Sequence, residues 1–247
     1  MGSMQPSTAG DEQRAGALSL SHIARCASVG YELVHGGRRR SQPLRSVERH
    51  WVEREIRKLF DGGHFDRAAT IAIEAYEIDI TRWLKGILAD EVAAREVFSV
   101  FCEDLWMGLP KFRWECSFRT WAFQLARNAA WRRLRSRSPE QPMGDAVPCE
   151  PWHQGRSRTR PWLRTDVKAA FARLRETLDP EDRTLLLLRI DSRMPWEEVA
   201  RILSDAETPL AAAVLRKRAA ALRQRFSRVK AQLREKAKAE GLLEADR

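Results

Sequence analysis

The stretch Phe118–Leu134, FRTWAFQLARNAAWRRL, decides the reading of this 247-residue chain. It holds no proline or glycine, and its apolar residues recur at helical intervals rather than alternating. At 3.6 residues per turn, Phe118, Trp121, Ala122, Leu125 and Ala129 share one face and predict a buried stripe. Thr120, Gln124, Arg127 and Trp131 fall on another face with Asn128 alongside, and Arg132, Arg133 and Arg135 extend it. Amide, hydroxyl and guanidinium groups suit base edges and phosphates, and an indole offers a stacking surface for an unpaired base. A solvated basic helix with two core tryptophans fits the periodicity equally well.

Upstream lies Lys111-Phe112-Arg113-Trp114-Glu115-Cys116-Ser117, which interleaves cations with rings. Rings stack on splayed bases and cations hold the backbone, so Phe112, Arg113 and Trp114 join the candidate nucleic-acid surface. Aromatics in a loop also serve as core anchors, which leaves Phe112 ambiguous and makes Trp114 the better candidate for exposure. Further upstream, Asp90 opens a helix carrying Val97, Phe98, Phe101, Leu105 and Trp106, with Glu96, Glu103 and Asp104 on its polar side. Gly108 and Pro110 end it. Two earlier helices are expected, one with Trp51, Ile56, Leu59 and Phe60 in a stripe broken at Asp61–Gly63. The other carries Ile71, Ala75, Ile78, Trp83, Leu84 and Ile87.

Downstream, residues 136–161 are rich in proline and arginine without an apolar period, and read as a linker. A second helical set follows. Val167, Phe171, Leu174 and Leu178 mark one helix, and Asp179-Pro180 is a cap followed by proline in the first turn of the next. Pro195–Leu203, a turn at Ser204–Glu207, and a second cap-plus-proline at Thr208-Pro209 read as a helix-turn-helix, whose second helix enters a major groove. On that last helix Ala211, Leu215, Leu222, Phe226, Val229 and Leu233 form the expected buried stripe. Thr208, Ala213, Arg216, Lys217, Arg223 and Gln224 are the candidate DNA contacts, with Ala220 beside them. No strand pattern occurs. The expected fold is all-α: two small helical domains, 47–135 and 162–247, joined by the linker and preceded by a disordered extension, 1–46.

Composition agrees. The net charge is +10, and it is unevenly spread. Acids outnumber bases between Val47 and Trp106, whereas Lys111–Arg137 and Pro209–Lys238 are strongly basic, each containing a single acid. Two basic segments predict two polyanion contacts, since basic surfaces release counterions from nucleic acid. No apolar run approaches the ~20 residues of a membrane span, and no secretion signal is found, so a cytoplasmic location without membrane association is expected. The four cysteines, Cys26, Cys102, Cys116 and Cys149, stand singly. Cys149 and His153 lack further ligands, so neither a metal nor a cofactor is expected.

These segments resemble the bacterial RNA polymerase sigma factors of the extracytoplasmic-function type. Asp90–Trp106 followed by GLPKFRWECSFRTWAFQLARNAAWRRLR is similar to sigma region 2, with SFRTW…LARN the most specific string. LDPEDRTLLLLRIDSRMPWEEVARIL, Leu178–Leu203, resembles region 4. Trp114 stands where the family usually has glycine, and Ser204–Glu207 replaces a Gly-Ile-Ser turn. The resemblance implies a promoter-specificity subunit, not an enzyme. Its partners would be core polymerase, through the clamp helices and flap, and promoter DNA. An anti-sigma factor is a candidate partner whose existence the sequence leaves open. It implies that Glu96, Val97, Phe98, Phe101, Asp104, Leu105 and Trp106 dock on polymerase. Phe112, Arg113, Trp114, Thr120, Gln124, Arg127, Asn128, Trp131, Arg132 and Arg135 would read and open the minus-ten element. The helix from Thr208 would read the minus-thirty-five element. The alternative is a helix-turn-helix regulator that binds duplex DNA alone. A nucleic-acid-processing enzyme is disfavoured by the lack of clustered carboxylates or a nucleophile–base pair.

Overall fold

The computed structural model describes residues 46–136, 161–204 and 210–242. The expected N-terminal extension, the linker and the Thr208-Pro209 cap lie essentially outside them. The described residues belong to one compact unit, Ser41–Arg247, and all their regular structure is helical. In chain order the helices are α1 (Ser46–Asp61), α2 (Phe65–Leu88), α3 (Glu91–Gly108), α4 (Phe118–Ser136), α5 (Pro161–Glu176), α6 (Pro180–Ile190), α7 (Trp196–Ile202) and α8 (Ala212–Ala239). A 3₁₀ turn, Leu109–Lys111, follows α3.

Local chemistry explains the boundaries. Gly63, at φ +73°, supplies the left-handed residue that closes the turn after α1. The Asp90 carboxylate accepts from the N–H groups of Val92 at 2.9 Å and Ala93 at 3.2 Å, capping α3. Asp179 does the same for α6, accepting from Glu181 and Asp182, with Pro180 in the first turn. Helix α8 begins at Ala212 with no side-chain cap, later than the Thr208 start expected from sequence.

The first four helices enclose a core of Ile56, Tyr76, Ile80, Trp83, Leu84, Ile87, Phe101, Leu105, Phe118 and Phe123, all essentially inaccessible. Trp51, expected in the α1 stripe, is instead 56% exposed, because Val52, Ile56 and Leu59 form the buried line. The core does not stop at α4. It runs on through Leu185, Leu187 and Leu188 of α6, Met194, and Val199 and Ile202 of α7. Where two separate domains were expected, the helical halves thus share one apolar interior. Gly86 of α2 marks the closest approach: a Cβ there would sit 2.7 Å from Leu187 Cδ1. A mid-helix glycine costs about 1 kcal/mol of helix propensity, and here its missing side chain is what lets α6 seat against α2.

Candidate nucleic-acid interface

Helix α4 is held at its N-terminus by two elements. Ser117 Oγ accepts from the Thr120 N–H at 3.1 Å, a local cap. From α1, the Glu53 carboxylate accepts from the N–H groups of Phe118 and Arg119, both at 2.8 Å, and from Tyr76 Oη–H at 3.0 Å. A carboxylate at a helix N-terminus satisfies otherwise open donors and complements the helix dipole. Burial, and then the neighbouring Glu53 charge, push the Tyr76 phenol well above its ordinary value, so it stays protonated and donating. The role of Glu53 was not legible in sequence, since it lies 65 residues from Phe118.

The loop 112–117 is an aromatic cluster rather than an open stacking platform. Phe112 is buried, stacked on Trp121 at 4.6 Å and edge-on to Phe118 at 5.6 Å. Trp114, expected to be the exposed ring, is only half-exposed: it packs on Phe112 at 4.9 Å and Phe60 at 5.6 Å, with the Arg57 guanidinium 4.6 Å from its ring. Its φ of +58° is left-handed, which a side chain occupies at a cost of about 1–2 kcal/mol. That backbone matches the family's usual glycine, and ring packing holds the tryptophan in it. Arg113 is exposed.

The polar face of α4 is also not where periodicity placed it. Thr120 and Arg127 are buried, and Gln124 and Trp131 half-buried. The cause is the second half of the chain. Gln124 Nε2 donates to the Arg201 carbonyl of α7 at 3.1 Å. Thr120 hydrogen-bonds to the Glu198 carboxylate of α7, as well as to Ser117. Arg119, an unassigned residue in the sequence reading, is buried: Nη2 donates to Asp79 of α2 at 3.2 Å and to the Ser192 carbonyl, between α6 and α7, at 2.7 Å. Burial raises the Glu198 carboxyl above its ordinary value, with Thr120 and Arg119 pulling it back. The Arg127 guanidinium lies 4.9 Å from the Trp131 ring. Only Asn128, Arg132 and Arg135 of the expected reading face are fully exposed.

On α3 the expected docking residues divide. Val97, Phe98, Phe101 and Leu105 are core residues and present no surface to a partner. The apolar stripe was legible, but which side of it faces outward depends on the helices that cover it. Glu96 is exposed, and Asp104 and Trp106 half-exposed. The outward face adds Val100, Glu103 and Met107, at 3- to 4-residue spacing from Glu96, with Met107 65% exposed. Asp104 pairs with Arg132 of α4, tying this face to the basic end of the reading helix.

On α8, Leu215, Ala219 and Val229 are buried, while Ala213, Arg216, Lys217, Arg223 and Gln224 are exposed on the outer side. Arg225 anchors the helix to the N-terminus of α6 through Glu181 at 2.8 Å and Asp182 at 2.5 Å. Among the described residues no cluster of His, Cys, Asp and Glu could hold a metal, and no helix is long and apolar enough to cross a membrane.

A family model described as Sigma-70 region 2 matches residues 72–140, from within α2 to the end of α4. Among solved structures, the chain is similar to one described as CnrH in complex with the cytosolic domain of CnrY. Identity is 16% and the TM-score 0.48, over 73% of this chain and 98% of that one. No curated protein matches. Residues 72–140, which hold both the outward face of α3 and the helix α4 with its capped start, are a Sigma-70 region 2, and the chain that carries them is an RNA polymerase sigma factor.

Proposed function

We propose that this chain is a cytoplasmic sigma factor of the extracytoplasmic-function type that directs core RNA polymerase to specific promoters and helps melt the minus-ten element. The observation that carries this reading is the coincidence of the region 2 match with α2–α4, where an acidic–apolar outward face adjoins a basic helix end. Glu96, Val100, Glu103 and Met107 offer the face for the polymerase clamp. The surface of Asn128, Arg132 and Arg135, with Thr120, Gln124, Arg127 and Trp131 along the same helix, contacts the minus-ten strand. The half spanning 162–247 contacts the minus-thirty-five duplex through Arg216, Lys217, Arg223 and Gln224 on α8, whose alanines allow close approach to the groove.

Run-off transcription with core polymerase, followed by start-site mapping, tests this directly. Core-dependent transcripts from discrete starts are expected, with unpaired thymines near minus ten detected by permanganate. Asn128→Ala is expected to reduce opening on matched duplex and, if the amide reads a base, to be only partly rescued by a pre-melted bubble. Absence of any core-dependent transcript, with tight binding to duplex DNA by the free chain, would overturn the proposal in favour of a stand-alone regulator.

A further inference from the structure

We propose that, in the free chain, the second helical half acts as a cover over the DNA-reading face of α4, and that single-stranded DNA reaches Thr120 and Gln124 only when the two halves part. This rests on reading α4 as the minus-ten helix. Three observations place the cover. Gln124 spends its amide donor on the Arg201 carbonyl at 3.1 Å, and Thr120 bonds Glu198, so base-reading groups are occupied by α7. Arg119 bridges the halves through the Ser192 carbonyl at 2.7 Å. Beneath α7 the apolar interior is continuous, with Leu187 seated where Gly86 has no side chain.

The chemistry of this contact suits a cover that opens. Its centre is polar: Arg49, Glu53, Asp79, Arg119 and Glu198 cluster where α1, α2, α4 and α7 meet. Buried charges of this kind give little net stabilisation relative to apolar packing, because each sheds its water to enter the contact. They do specify one docking geometry. A face that uses the same amide and hydroxyl for closure and for base reading makes the two states mutually exclusive. A partner that favours the separated halves therefore shifts the population toward DNA binding, by no more than its preference for that state.

The test uses the full chain with a 20-nucleotide single-stranded DNA of randomised sequence as probe. Two charge-neutral substitutions loosen the seat: Gly86→Leu, which collides with Leu187, and Leu187→Gln, which sets an amide into the apolar contact. Neither touches the reading face. Each is expected to enlarge the radius of gyration in small-angle scattering, to keep its helical circular dichroism, and to tighten probe binding at least five-fold. Adding Gln124→Ala to Gly86→Leu should remove most of that gain. Expansion without tighter binding overturns the cover. The wild-type chain gives an answer independent of either variant: saturation with probe should itself expand the molecule, and binding at unchanged radius also overturns the cover. Failure of the sigma reading is separate, because it shows as absence of core-dependent transcription whichever way the scattering runs.

Discussion

Glu53 is the residue whose removal tests most sharply how α4 is positioned. Its carboxylate accepts three hydrogen bonds, from the Phe118 and Arg119 N–H groups at 2.8 Å and from Tyr76 Oη–H at 3.0 Å. A hydrogen bond to a charged acceptor contributes about 1.5–3 kcal/mol. Taking the lower value for all three gives about 4.5 kcal/mol, and water entering the half-buried site restores part of it, so Glu53→Ala is expected to cost about 3 kcal/mol. For a chain of this size that corresponds to a fall in Tm of about 6–12 °C. Glu53→Gln keeps one acceptor oxygen but turns an amide toward donors, and should cost roughly half as much. Exposed Glu74→Ala on α2 serves as the comparison, expected within about 0.5 kcal/mol of wild type. Urea unfolding gives the energies. Hydrogen exchange locates the effect, with the Phe118 and Arg119 amides opening sooner while those in the middle of α2 do not. A Glu53→Ala loss no larger than that of Glu74→Ala would refute the capping argument.

Trp114→Ala should destabilise the chain by about 2 kcal/mol, because lost ring packing outweighs the small backbone benefit of a shorter side chain at positive φ, whereas Trp114→Gly relieves the backbone and should cost less. A thermal melt that ranks the two variants the other way would show that ring packing does not hold the loop. Arg216→Ala and Lys217→Ala should each weaken upstream duplex binding similarly across sequences and lower the salt slope by about 0.9, as phosphate contacts do; loss confined to one base pair would make that residue a base reader. The raised carboxyl of Glu198 predicts a pH effect. The folded chain holds this proton to higher pH than the unfolded chain, so its contribution grows as pH falls from neutrality toward the ordinary value of 4.5. Glu198→Gln should flatten that part of the stability profile; an unchanged difference between the two proteins from pH 7 to 4.5 would contradict the burial of Glu198 against Thr120 and Arg119.

What the sequence determined by itself is the helical class, the identity of most helices and the two basic segments. Those are local properties: the 3.6-residue repeat of Phe118–Leu134, the Asp179-Pro180 cap and the run of cations on α8 need no distant partner to be read. Tertiary structure alone decided which faces are free. Periodicity separates two sides of α4 but cannot tell solvent from α7, so Thr120 and Arg127 were read as outward and lie buried. It finds the apolar stripe of α3 but not that Val97, Phe98, Phe101 and Leu105 point inward, leaving Val100 and Met107 outside. Loop aromatics at 112 and 114 are equally legible as stacking groups or anchors until Phe60, Trp121 and Arg57 arrive from elsewhere in the chain. Glu53, Asp79 and Arg119 were silent in sequence for the same reason. A single charged residue on a helix looks solvated, and only the helices packed around it convert it into a cap or a buried pair.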